Sequence, residues 1–275
     1  MHSYIGIAFM NTKKSLGQNF LKSKEAIREI VKSAYVSDGE TILEVGPGKG
    51  VLTRAILDAG ARVIAVEKDD RLTGFLSERF SGELSLGRLV IVNGDILKKE
   101  PSELGLERGK YKIVANIPYY ITGSFLRKFL SSPLHPSVMV LMLQKEVAKR
   151  IVASDRKESI LSISVKSYGS PKYVLSVPRK YFSPEPNVDS AIVLIDHINK
   201  DFFTDSGLDE NDFFKLVKKS FSQKRKKLAN NLPCDKSKSA KILSEMGMDK
   251  DIRAENVSLD GWKRIALALR NDIIA

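Results

Sequence analysis

The 275-residue sequence contains one cysteine, Cys234, and three scattered histidines, His2, His135 and His197. A single cysteine excludes an internal disulfide and any cysteine-based metal cluster, and it suits a reducing cytosol. No two histidines have metal-ligand spacing, so no metal is expected. Long apolar runs are missing too. None approaches the roughly 20 residues that span a bilayer, so no membrane partner is expected. The opening MHSYIGIAFMNTKK has a short apolar patch but neither a basic segment before it nor a small-residue cleavage site, a poor match to a signal peptide. Met10 is an alternative start, because the recognisable motifs begin just after it. These absences point to a cytoplasmic protein, and 43% hydrophobic with 28% charged residues is ordinary for a globular chain.

Positive charge is what the chain has in excess. There are 45 basic against 33 acidic residues, a net of +12. Such a field suits polyanions and makes binding salt-dependent, although a lysine-rich organism would give the same overall bias. Distribution separates the two. Lys215 to Lys227 (KLVKKSFSQKRKK) holds seven basic residues and no acidic one, which is a patch.

Apolar segments alternate with amphipathic ones. Strands are expected at 41–45, 62–66, 89–92, 112–115 and 137–143, and helices at 23–34, 51–59, to about 80, 124–130 and 144–152. This alternation predicts a parallel, doubly wound sheet. Segments 172–177 and 190–195 follow with no helix between them, so they are expected to pair antiparallel at the sheet edge. Residues 197–208 are polar and turn-rich, a candidate linker. Helices are expected at 211–229, 237–246 and 259–272. Residues 206–275 carry 15 basic and 10 acidic side chains, so this helical unit is itself basic. The expected division is a domain at 1–198 and a second at 206–275.

Three strand ends carry ligand-type residues in order. The first runs into Gly46-Pro47-Gly48-Lys49-Gly50, where glycines let the chain turn sharply and a ligand approach the backbone of a helix N-terminus. The second ends at Glu67, positioned for ribose hydroxyls, and the third at Asp95, positioned for an adenine amino group. Dinucleotide enzymes and S-adenosylmethionine enzymes share this half-site. The tetrad Asn116-Ile117-Pro118-Tyr119 after the fourth strand separates them. An adenine amine is planar and weakly nucleophilic because its lone pair is delocalised. Two acceptors aimed at its hydrogens, the Asn116 side-chain oxygen and the Ile117 carbonyl, would localise that pair. Pro118 would stiffen the turn, and Tyr119 would stack on the base. An ordinary Asn-x-Pro turn with a packed tyrosine is the alternative.

The segments KKSLGQNFL (13–21), ILEVGPGKGVLT (42–53), VEKD (66–69), GDIL (94–97), NIPYYIT (116–122), LQKEVAKRI (143–151), FSPEPNVDSAI (182–192) and FSQKRKKLANNL (221–232) closely resemble the small-subunit ribosomal RNA adenine N6-dimethyltransferases. The resemblance implies a Rossmann-like α/β fold, with a seven-stranded S-adenosylmethionine-dependent methyltransferase sheet and a small all-helical C-terminal domain. It implies S-adenosylmethionine as cofactor. As target it implies two adjacent adenosines in the loop of the 3′-terminal hairpin of small-subunit rRNA, each methylated twice at N6, within the immature small ribosomal subunit. Carried over, Asn19 and Leu21 close over the cofactor, Gly46 and Gly48 lie against it, Glu67 and Asp95 hold ribose and adenine, and Asn116 borders donor and target. Tyr119 and Phe182 sandwich the base, and Lys224, Arg225 and Lys226 touch phosphate. Tyr120, after the tetrad, varies among family branches. A monomer is expected, since nothing suggests a second apolar face. Two other readings remain: a large-subunit rRNA dimethyltransferase of the macrolide-resistance type, and a ribosome-assembly factor acting mainly by binding.

Overall fold

Short apolar segments ended by glycine or an acidic residue become strands, and the 3.6-period segments between them become helices laid on the sheet. The computed structural model describes residues 18–270. The chain begins with a two-residue strand β1 (Phe20–Leu21) and helix α1 (Lys24–Ser33), whose N-cap Ser23 accepts a hydrogen bond from the Ala26 N–H at 3.2 Å. Then follow β2 (Thr41–Val45), α2 (Val51–Asp58), β3 (Arg62–Glu67), α3 (Asp70–Arg79), the short α4 (Ser81–Ser85), β4 (Leu89–Asn93), β5 (Tyr111–Asn116), α5 (Thr122–Leu130), β6 (Val138–Gln144) and α6 (Lys145–Val152). After α7 (Ile160–Lys166) come β7 (Ser170–Val177), the two-residue β8 (Phe182–Ser183) and β9 (Ser190–Asp196). The remainder is helical: α8 (Asp201–Thr204), α9 (Glu210–Ser220), α10 (Lys236–Glu245) and α11 (Leu259–Ala268).

Among the described residues the main sheet has seven strands in the order β4-β3-β2-β5-β6-β9-β7. The first five are parallel, while β9 runs antiparallel to both neighbours, as the helix-free connection before it requires. Strand β6 (VMVLMLQ) is buried at every position but its last, the signature of a central strand covered on both faces.

The C-terminal half departs from the expected pattern in three places. Helix α7 was not anticipated: its capping box, Ser159 with Ser162, starts a helix in a β-branched, serine-rich stretch that has weak helical periodicity. Helix α9 stops at Ser220 and does not run to 229, because Asn231 Nδ2 donates to the carbonyls of Ser220 (3.1 Å) and Gln223 (3.2 Å) and folds the chain into turns. The segment 197–208 is no open linker. Helix α8 buries Phe203 against Tyr168 and Phe213, and one apolar core runs from the sheet through these rings to Trp262. The expected end of the last helix, at 272, and the start of the first motif, at 13–17, lie outside the described residues.

Candidate active site

Register brings the functional residues to one edge. Val45 pairs with both Val66 and Ala115, and Glu67 pairs with Asn93, so the chain leaves β2, β3, β4 and β5 at the same end of the sheet. Strand order reverses between β2 and β5, the switch point at which open α/β sheets bind ligands. A cavity there gathers the cofactor residues expected from the sequence, from Asn19 and Leu21 to Asp95, together with the tetrad 116–119.

Gly46, Gly48 and Gly50 all take positive φ, at 69°, 57° and 73°. Gly50 caps α2, and a Cβ there would stand 2.5 Å from the Phe80 ring and 2.8 Å from Leu76. Gly50→Ala is therefore expected to cost about 2–4 kcal/mol, adding left-handed strain to overpacking, which a denaturant titration would measure. Glu67 braces the same loop. Its carboxylate accepts from the Gly48 N–H (3.2 Å) on one oxygen, and from the Lys68 (2.9 Å) and Asp69 (3.0 Å) N–H groups on the other. Burial pushes its carboxyl above the ordinary range despite these donors. Asp95 Oδ1 accepts from the Leu97 N–H at 3.0 Å, and Lys68 Nζ donates to Oδ2 at 2.9 Å, which holds the carboxyl below its ordinary range.

Asn116 Nδ2 donates to the backbone carbonyl of Asn19 at 3.2 Å. A carbonyl can only accept, so this bond fixes the amide orientation and turns Oδ1 away as a free acceptor. Pro118 (φ −56°) takes the chain into a 3₁₀ turn closed by the Ile121 N–H on the Pro118 carbonyl at 3.1 Å. Tyr119 is anchored by its hydroxyl on Ser190 Oγ at 2.7 Å, and Tyr120 beside it is 64% exposed at the cavity. Phe182 does not meet the expectation of facing a base. Pairing with Leu21 in the β1–β8 ribbon leaves it 2% exposed in the core beneath the sheet. Lys224, Arg225 and Lys226 are exposed on the turn after α9, away from the cofactor cavity. Neighbouring Lys227 pairs with Asp251.

Three features escaped sequence reading. Glu44, on β2, is 1% exposed and lines the cavity, yet neither carboxylate oxygen has a hydrogen-bond partner. Burial pushes its carboxyl up to about 8; the nearby Thr53 hydroxyl and N–H, outside hydrogen-bond geometry, oppose the rise, and the charge of Glu67 reinforces it. A charged residue inside the apolar run TILEV was the available signal. Lys68 faces Asp95 as described. Asp69, clasped by Arg71 through Nε (3.0 Å) and a second nitrogen (2.7 Å), accepts from Gln18 Nε2 at 3.0 Å and so tethers the N-terminal arm to the site.

Comparison with known proteins gives the family. The family model described as "Ribosomal RNA adenine dimethylase" matches residues 9–271. The chain is 41% identical over 262 residues to the ribosomal RNA small subunit methyltransferase A of Dehalococcoides mccartyi, covering 94% of this chain and 88% of the relative. Its identity to the protein of the same name from Fusobacterium nucleatum is 38% over 253 residues, covering 90% and 94% of the two chains. Among solved structures, a dimethyladenosine transferase from Plasmodium falciparum superposes with a TM-score of 0.78 at 25% identity, covering 92% of this chain and 98% of the other. The 23S rRNA methyltransferase ErmE superposes with a TM-score of 0.74 at 26% identity, covering 92% and 100%. The chain belongs to the ribosomal RNA adenine dimethylase family.

Proposed function

We propose that this protein dimethylates N6 of two adjacent adenosines in the 3′-terminal hairpin loop of small-subunit rRNA, within the immature small ribosomal subunit, acting as a cytoplasmic monomer without a metal. The observation that carries the reading is the orientation of Asn116, whose Nδ2 is committed to the Asn19 carbonyl, which leaves Oδ1 as the acceptor of a side chain lining the same cavity as the cofactor-site residues.

The cavity fits S-adenosylmethionine. Glu44 offers a buried, unpartnered carboxylate to a cationic group, and the left-handed glycine loop offers close backbone approach. Glu67 retains acceptor capacity for ribose, and the Asp95 carboxylate is the partner for the adenine amine. When bound, the cofactor supplies a methyl group made electrophilic by the adjoining sulfonium. The chain positions and polarises the attacking amine. Asn116 Oδ1 and the Ile117 carbonyl accept from the two N–H groups, and Tyr119 stacks on the base, held by Ser190. After one methylation a single N–H remains, so one acceptor suffices while the pocket tolerates the methyl group. No side chain needs to act as a strong base, because the alkylated amine is acidic and sheds its proton to water. A loop base unstacks more readily than a duplex base, which suits a hairpin target.

The C-terminal helices, and Lys224, Arg225 and Lys226 in particular, contact RNA phosphate in this reading. Changing all three to glutamine is expected to weaken subunit binding uniformly and to reduce the slope of log affinity against log salt by about 2–3, measured by filter binding at several salt concentrations. An unchanged slope would remove them from the interface. Incubation with methyl-labelled donor and separate undermethylated small and large subunits tests the assignment. Label in the small subunit supports it. Label in the large subunit would move the chain to the resistance type, and binding without label would leave an assembly factor.

A further inference from the structure

Lys68 and Asp95 follow the ends of adjacent strands β3 and β4, and their ammonium and carboxylate meet at 2.9 Å on the wall of the cofactor cavity. The Lys68 backbone is anchored by its N–H on Glu67 Oε1, so the side chain starts beside the proposed ribose subsite and reaches across to the neighbouring strand end. With the Leu97 N–H on Oδ1 and Lys68 on Oδ2, each Asp95 oxygen already has a donor. Lys98 and the Tyr120 hydroxyl are the other titratable groups whose charge reaches this pair. The side chains are 50% and 23% exposed, which makes this a weak, solvent-screened ion pair that a ligand can displace.

We propose that Lys68 is a latch on the adenine subsite, competing with the cofactor's exocyclic amine for Asp95. The inference rests on the reading of Asp95 as the adenine partner. A cation on the acceptor that a neutral amine requires lowers affinity at the adenine end alone. It therefore weakens the methyl donor and its demethylated product equally, which shortens product residence without touching the groups around the transferred methyl. Lys68 is a positioning residue here, acting through Asp95 on cofactor affinity.

Calorimetric titration with S-adenosylhomocysteine tests the latch. That ligand carries one ammonium and one carboxylate and is net neutral, so salt acts chiefly on the protein ion pair. Lys68→Met keeps the length and apolar stem of the side chain and removes the charge. At low salt the variant is expected to bind roughly 2- to 5-fold tighter than the unaltered protein. The gap is expected to close toward about 0.5 M salt, as the unaltered protein tightens. Lys68→Arg, which keeps the charge, is expected to stay at or below the unaltered affinity. Equal or weaker binding by Lys68→Met at low salt, with the unaltered protein binding normally, would overturn the latch alone. Failure of all three proteins to bind would overturn the cofactor reading and the latch with it.

Discussion

Asn116→Ala is expected to lower the single-turnover rate of methyl transfer by about 10²–10³-fold, the usual cost of deleting one preorganised polar group aimed at a reacting centre. In the proposed function Oδ1 is the acceptor for the incoming amine, and Nδ2 is committed to the Asn19 carbonyl at 3.2 Å. Deleting the side chain also removes that bond, a stability loss of about 1 kcal/mol that leaves the fold in place. Asn116→Asp is the sharper variant. It keeps an acceptor in place but sets a carboxylate oxygen against the Asn19 carbonyl, so the arm holding Asn19 is repelled. Asn116→Ala is expected to lose rate much more than cofactor affinity, and Asn116→Asp to lose both, with rate and calorimetric Kd measured on the same preparations. A variant that transfers methyl at the unaltered rate would remove Asn116 from the chemistry.

The second large effect concerns Glu44. Its carboxyl is pushed up to about 8 from an ordinary 4.5, chiefly by burial. Between those pH values the folded chain retains a proton that the unfolded chain has released. The stability this confers is fully present below about pH 4.5 and is lost as pH rises through about 8. Over that window the loss is on the order of 3–5 kcal/mol. In cofactor-free protein, Glu44→Gln is expected to flatten this part of the pH–stability profile and to raise the melting temperature at pH 8 by several degrees, read by thermal denaturation across pH 5–8. Donor binding reverses the sign. A cationic group beside Glu44 favours the carboxylate, so binding near pH 7 is expected to release about one proton, seen as a dependence of binding heat on the buffer's ionisation enthalpy. Glu44→Gln is expected to lose that release and to bind the donor about 10- to 100-fold more weakly, the cost of removing one charged hydrogen-bond partner. A variant less stable than the unaltered protein at pH 8, or one that still releases the proton, would contradict this account.

How much of the site was legible depended on whether its signal was local. Gly46, Glu67, Asp95 and Asn116 each stand at the end of an apolar run, and a parallel sheet brings such ends to one edge, so their convergence followed from pattern alone. The antiparallel edge was equally readable, because 177 and 190 are joined by a proline-rich stretch with no room for a crossover helix. Phe182 was not, because its burial depends on a two-residue ribbon with Leu21, a pairing across the whole domain that leaves no periodic trace. The end of α9 was hidden for a similar reason. The apolar stripe continues to Leu228, while the stop comes from the Asn231 side chain eleven residues beyond Ser220. Ile198, Phe203 and Leu208 turn a polar stretch into packed core because their buried side chains outweigh the turn-forming neighbours. Lys68 and Glu44 lacked any signal of partnership, since pairing in one case and isolation in the other exist only in three dimensions.

Nucleoside mass spectrometry of small-subunit rRNA after reaction with this protein and S-adenosylmethionine, with the 3′-terminal hairpin isolated by nuclease protection, decides the assignment. N6,N6-dimethyladenosine is expected at two adjacent loop positions, and is expected to be absent when Asn116→Ala is used. Dimethyladenosine only in large-subunit RNA, or methyl groups elsewhere than N6 of adenine, would contradict it.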